Sequence, residues 1–441
     1  MYRRRIGGSF MKWRTIVLPV LTAAALALSA GCSNGGGSAD PGTTSSDAKS
    51  KVAADTGTPV TLKVAFFSSQ DTFKQLTQNP VIKQKFPNVT FQYIKYADLD
   101  KAIAAGDAPD LINGIVSALA DLEERGLKYD LGPLAKLLDI DLNKFERKKL
   151  EGIRSYGRNG ELFGLPDNLE ETSPYNTFAL VYNKDIFDKF AVPYPKDNMT
   201  WDEAVDLARQ FVRTDGGTEY KGLVAHAAPH FLAAQLGIEF VGADGKVNTS
   251  DPKWSELMRV NKRISVEQGG FLPKGGDLTH FYKTQNVAMY AGDAGDLFRS
   301  PDKFGASFQW DIATYPVFPG MAPHTVVGPN GGMWAVGATS KHKELALAVL
   351  DTILSPDVMK SIPNYDWWNH PNVQSKRLEA LKNPNYPTTR ANAYMQKYNL
   401  KFRAEIAKAT ESVSKDGVDI NTALRTFQES FQKIIDADGV K

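Results

Sequence analysis

The sequence predicts an α/β protein of two lobes behind a secretory leader. Three observations carry that expectation. From Val60 onward, β-like runs alternate with amphipathic helical stretches. About 410 residues follow the leader, too many for a single hydrophobic core. The one cysteine of 441 residues, Cys32, lies at the seam between an apolar run and a glycine-serine tract.

The leader comes first. Arg3, Arg4, Arg5, Lys12 and Arg14 precede an apolar stretch from Ile16 to Leu28. That stretch falls short of the roughly 20 residues a membrane-spanning helix needs. A basic flank, a short apolar core and small residues before a break have the layout of a secretory signal, with either Met1 or Met11 as its start. Ser29-Ala30-Gly31-Cys32 resembles a bacterial lipobox, with Leu28 one place further from the cysteine than in the commonest form. In such a motif residues 1–31 are removed and the cysteine carries diacylglycerol and then a further acyl chain such as palmitate. Two or more chains on one residue hold a protein stably to a membrane. Residues 33–59 contain no aromatic and no large aliphatic apart from Val52. Too little apolar surface is available there to offset ordering, so residues 32–59 are expected to be a lipidated flexible tether spanning roughly 30 Å.

Without the leader the net charge falls from +2 to about −3, which leaves no basic footprint for nucleic acid. No cysteine remains beyond Cys32, so the body has neither a disulfide nor a reactive thiol.

Taken in order, VTLKVAFF (60–67) reads as an opening strand, and Ser68 to Asp71 as a helix start. PDLING (109–114), TFALVYN (177–183), NVAMYAG (286–292) and GMWAVG (332–337) are further short strands. Thr200 and Glu203 have capping-box spacing, with Ala204, Leu207, Ala208 and Phe211 on one face behind them. Ala423, Leu424, Phe427, Phe431, Ile434 and Ile435 form a second core stripe, and Ala243-Asp244-Gly245 marks a turn. No internal repeat is present.

Catalytic motifs are missing: there is no nucleophile elbow, no phosphate-cradling loop and no HExxH. His226 and His230 are four apart, but Pro229 disfavours a helix that sets both on one metal, so neither a metal nor a cofactor is expected. Asp167, Glu170 and Glu171 have the residue types of a glycosidase pair, though clustered acids on a loop are usually solvated.

GDAPDLI (106–112), GELFGLPDN (160–168), ALVYNKDIFDKFAVPYPKDNMTWDEAVDLA (179–208), NVAMYAGD (286–293) and the stretch from 311 to 350 occur in that order. The succession resembles the extracellular solute-binding proteins of ABC importers, in the group that includes the maltose-binding protein. The resemblance covers nearly all of residues 60–441. It implies a two-lobe, periplasmic-binding-protein-like fold of type II with the ligand cleft between the lobes. Residues 60–174 plus 325–370 would form the first lobe and residues 175–324 plus 371–441 the second. It also implies an ABC permease as partner, the outer face of the cell membrane as location, a monomer, and no enzymatic activity.

Candidate ligand contacts follow from strand ends and crossing loops: Phe67, Ser69 and Gln70 after the first strand, and Asn113 and Gly114 after PDLI. Through the resemblance, Asn176 matches a ligand-binding acid of the maltose-binding protein, with Tyr175 beside it, and His230 and Phe231 match an aromatic pair that packs on sugar. Asp293 and Asp296 follow NVAMYAG, while Trp334, Asp366, Trp367 and Trp368 come from the returning segments. Gly295 stands where the maltose-binding protein has a stacking tryptophan, which argues against maltodextrin itself. These residue types suit a carbohydrate: aromatic rings pack on the C–H face of a pyranose, and Asp, Asn and Gln pair with its hydroxyls. An oligosaccharide receptor is therefore expected. Two other readings stay open, a non-sugar nutrient such as a polyamine or small peptide, and a surface glycoside hydrolase.

Overall fold

The computed structural model describes residues 43–157, 159–167, 169, 176–225, 228–266, 280–299, 308–328, 332–361, 367–387 and 392–438. The leader and Cys32 lie outside them. Among the described residues no helix is long and apolar enough to cross a membrane.

The first described element corrects the tether expectation. Ser45–Thr56 is a helix, opened by a reciprocal capping box between Thr44 and Asp47. Ala48 is fully buried, Ser45 Oγ donates to the Leu137 carbonyl at 2.6 Å, and Asp55 meets His342 Nδ1 at 3.0 Å. Lys49 pairs with Asp139 and Lys51 with Glu344. Apolar content was a poor guide here. Alanine and lysine favour helix on their own, and one small buried face with polar anchors suffices once a preformed lobe offers the surface.

Two five-stranded sheets follow. The first has the order β2-β1-β3-β10-β4, with β1 at Val60–Phe66, β2 at Val89–Lys95, β3 at Leu111–Ile115, β4 at Leu165–Pro166 and β10 at Gly332–Val336. β1 pairs in parallel with both β2 and β3. β10 returns from far along the chain and inserts antiparallel between β3 and β4, with Trp334 opposite Asn113 on one side and Leu165 on the other. β1 to β4 therefore all point the same way.

The second sheet has the order β6-β7-β8-β5-β9, with β5 at Phe178–Asn183, β6 at Arg213–Asp215, β7 at Thr218–Ala225, β8 at Val287–Asp293 and β9 at Trp310–Thr314. β7 and β8 are parallel, and β5 runs against both β8 and β9. All six residues of β5 are buried, as a strand covered on both faces requires.

Each sheet has its own core. The first draws on residues 48–169 and 333–359. The second draws on two clusters from residues 178–326 and 373–435. The chain thus crosses between lobes three times, after Leu169, after Val326 and after Met359. Two expected boundaries shift accordingly. Val326, placed in the first lobe by the sequence, belongs to the second core, and Trp368 packs against the second lobe as well.

The helices meet their sequence signals closely. Glu203 N donates to Thr200 Oγ1 at 3.2 Å, and Thr200 N to Glu203 Oε2 at 2.7 Å. The helix Trp201–Arg209 that this box opens packs on β7 so tightly that a Cβ on Gly222 would come within 2.0 Å of the Ala208 carbonyl. In helix Ile420–Ala437 five of the six stripe residues are buried and Ile434 is partly so. Gly245 takes the expected turn with φ +76°.

Candidate functional site

In open α/β sheets ligands bind beyond the carboxyl ends of the parallel strands. At that edge of the first sheet the chain places Phe67 after β1, Tyr96 after β2, Asn113 to Ile115 in β3, Asp167 after β4, and Gly332 at the start of β10. Phe67 is 58% exposed, far more than a large apolar side chain normally is, and its ring meets Tyr96 edge-on at 5.8 Å. Gly114 makes room for this pair: a Cβ there would come 3.2 Å from the Tyr96 ring. Asn113 is half-buried and donates to the Met333 carbonyl at 3.3 Å. Tyr96 Oη is shut off from solvent without a partner, and burial pushes its phenol above the ordinary value.

Two of the three remaining expected contacts at this edge, Ser69 and Trp334, have other tasks. Ser69 caps helix Gln70–Thr77, accepting from Thr72 N at 3.2 Å, so its hydroxyl serves the backbone. Gln70 is exposed in the first turn of that helix. Trp334 is 4% exposed and packs on Phe66 at 5.8 Å, so it is part of the first core instead of an open platform. β10 is buried from Met333 to Val336, and both of its edges are paired, with β3 and β4.

The equivalent edge of the second sheet gathers the start of β5, the end of β8 and helix Pro229–Gln235. Thr177 Oγ1 donates to Asp293 Oδ1 at 2.6 Å, and Gly295 N donates to the same oxygen at 2.9 Å. Asp293 is half-buried. Phe231 meets Phe178 edge-on at 6.0 Å, and His230 lies 4.3 Å from Phe231 between ring centres. Pro229 opens the helix, and His226 lies outside the described residues. Among the described residues no cluster of His, Cys, Asp and Glu has the geometry of a metal site.

Asn176 departs from expectation. It is 2% exposed, its Oδ1 accepts from Phe178 N at 2.8 Å, and its Nδ2 reaches Tyr386 Oη at 3.5 Å. A buried amide must find such partners, and here they fix the entry to β5 in place of a ligand. The 3-10 turn Trp367–Asn369 packs beside helix Gly295–Arg299, which brings Trp368 next to the segment that carries Asp293 and Asp296. Tyr175, Asp366, Glu170 and Glu171 lie outside the described residues.

Sequence reading missed Tyr96 and Thr177, and took Asp167 only as one of three clustered loop acids. Tyr96 ends an alternating run, VTFQYIK, that carries a strand signal. Asp167 and Thr177 gain significance only from strand order.

The sequence model described as "Bacterial extracellular solute-binding protein" matches residues 68–360. A binding protein of Brucella abortus (strain 2308) is 25% identical over 303 residues, 64% of this chain and 66% of that relative. The sn-glycerol-3-phosphate-binding periplasmic protein UgpB of the same strain is 22% identical over 242 residues, 51% of this chain and 52% of its own length. The chain thus spans at most about two-thirds of these curated relatives. Among solved structures, an ABC substrate-binding protein from Listeria monocytogenes in complex with cycloalternan superposes with a TM-score of 0.62 at 19% identity, covering 85% of this chain and 99% of that one. A solute-binding protein from Thermotoga lettingae bound with α-D-tagatose gives 0.63 at 17% identity, over 85% and 99% of the two chains. These likenesses establish the two-lobe, type II binding-protein fold that the strand orders describe. With a family match over most of its length, the chain belongs to the bacterial extracellular solute-binding proteins.

Proposed function

We propose that this protein is a non-enzymatic receptor, lipid-anchored through Cys32 on the outer face of the cell membrane, that captures a carbohydrate and delivers it to an ABC permease. An oligosaccharide is the favoured ligand. One observation carries the reading: aromatic rings and polar groups gather at the carboxyl edge of each sheet, with exposed Phe67 and half-buried Tyr96 on one lobe and half-buried His230, Phe231 and Asp293 on the other. Rings pack on the C–H faces of a sugar, and a buried hydroxyl without a partner is costly, so such a site discriminates well. Closure about the three crossing segments lets each lobe supply half of the contacts. The ligand then favours the closed state by its differential contacts with it, and the permease recognises that state. Structural neighbours crystallised with cycloalternan, mannotriose, mannitol and tagatose support a sugar-like ligand.

The soluble chain from Ser33 onward, titrated with a sugar panel and followed by tryptophan fluorescence, tests this. Saturable binding with the sugar recovered unchanged supports the receptor. Turnover of the sugar replaces it with a hydrolase. Silence across all sugars moves the ligand to another class, for which the UgpB relatives make sn-glycerol 3-phosphate the first candidate.

A further inference from the structure

Asp167 directly follows β4, the fourth of the like-directed strands in the first sheet, at the edge that holds Phe67, Tyr96 and Asn113. Its main chain is pinned, with Asp167 N donating to the Gly332 carbonyl at 3.1 Å. The carboxylate lies directly over Gly332, where a Cβ would come 1.9 Å from Oδ2. Oδ1 is withdrawn from solvent and has no donor among the described residues.

Glu124 Oε1, on the helix side of this lobe, is likewise without a partner among the described residues, whereas two acids of the sheet and its loops are satisfied. Asp110, at the opposite end of the sheet, accepts from Lys63 N at 2.8 Å and Ser340 Oγ at 2.6 Å. Asp130 accepts from Gly132 N and Leu162 N, each at 2.9 Å. A carboxylate oxygen without a donor is expensive to keep, and here a side-chain-free glycine is what allows it to sit at the binding edge. The residue as a whole is only half-buried, so the group is reachable from that edge.

We propose that Asp167 is a ligand-binding and specificity-determining acid of the first-lobe half-site: it accepts a hydroxyl hydrogen bond from a neutral sugar and turns away anionic polyols. The inference rests on the receptor reading above. A hydrogen bond to an ionised acceptor is stronger than one between neutral groups. The same charge, in a spot shielded from water, opposes a phosphate or carboxylate on the ligand. Gly332 acts as the positioning residue, since any side chain there displaces the carboxylate.

The test compares wild type with Asp167→Asn as soluble chains from Ser33 onward. Calorimetric titrations use mannotriose, D-mannitol, tagatose and sn-glycerol 3-phosphate. The expected result is a loss of about tenfold or more for whichever sugar binds the wild type, with sn-glycerol 3-phosphate binding gained or strengthened. A sugar affinity within about twofold of wild type, with sn-glycerol 3-phosphate still rejected, overturns the proposal.

A ligand-free arm keeps the two readings separable. Asp167→Asn should melt at or above wild type, because an unpaired carboxylate has been removed. Gly332→Ala should lower the melting temperature in the wild-type background and cost nothing further beside Asp167→Ala. If no sugar binds the wild type, the carbohydrate reading fails, and the melting data still judge Asp167. A clear drop for Asp167→Asn shows internal partners and overturns its role.

Discussion

Asp121 of the first lobe accepts a hydrogen bond from Asn399 Nδ2 of the second at 2.8 Å. Asn399 opens helix Asn399–Lys415, whose cap residue Tyr398 offers no side-chain cap. The first lobe supplies that cap instead. Glu124 accepts from the Leu400 backbone N–H, and Arg403, one turn further on, lies 3.5 Å from Asp121. Two carboxylates at the positive end of a helix are favourably placed. Glu124 and Asp121 thus join the lobes through charge and backbone, outside the ligand edge. Burial raises the pKa of Glu124 in this setting.

Asp121→Ala should therefore lower stability by about 1.5–3 kcal/mol, the range for hydrogen bonds to charged groups. Asp121 is 6% exposed, and both Arg125 and Arg403 approach it, so the loss also removes a carboxylate that two arginines share. Urea unfolding measures this. A change within about 0.5 kcal/mol would show that the junction contributes no more than an ordinary surface site.

His324 should make stability depend on pH. It is 8% exposed with φ +52°, and its Nε2 has no partner. Burial holds its imidazole below the ordinary 6.5, against the raising effect of a hydrogen bond to the Lys382 backbone and the charge of Asp197, while Lys148 lowers it further. The unfolded chain therefore takes up the proton first as pH falls. The stabilising contribution is complete above about pH 6.5 and is lost progressively below it, towards the depressed folded value. Comparison of urea midpoints at about pH 7.5 and about pH 5.5 should show a drop in wild type and a smaller one in His324→Asn, which tolerates a positive φ. Equal slopes in both proteins would acquit His324.

Trp367→Ala and Trp368→Ala should each weaken sugar binding by stacking worth about 0.5–1.5 kcal/mol beyond the lost area. Trp368→Ala should also lower the melting temperature, because its ring packs on the second-lobe cluster. Titration calorimetry decides, and unchanged affinity in both variants removes the pair from the site.

Under the proposed lipid anchoring, Cys32→Ala should release the protein from membranes while sugar affinity stays the same, because the acyl chains would then be its attachment. Fractionation of cells expressing each form checks this. Retention of the variant in the membrane fraction would mean that the leader itself remains as an anchor.

Legibility in the sequence followed the range of the interactions. The strands β1, β3, β5, β8 and β10 were visible within a residue or two, because burial on both faces demands continuous apolar runs. The Thr200–Glu203 box and the Ala423–Ile435 stripe were visible because their partners lie within a few residues. Helix Ser45–Thr56 was hidden, since what holds it are contacts to Leu137, Asp139, His342 and Glu344, about 90 to 290 residues away. Ser69 was read as a ligand contact from its position after a strand, and Asn176 from the family resemblance. Their occupation by Phe178 N and Thr72 N could be seen only with the backbone in place.

The amino-acid sequence alone determined the α/β class and the family, because each rests on local pattern or on motif order. Tertiary structure decided which edge of each sheet carries the candidate site, which polar groups are already spent, and that Asp167 is left without a donor among the described residues beside Gly332. The physical reason is that a polar side chain is free or satisfied according to the backbone packed around it, and here that backbone comes from segments far apart in the chain.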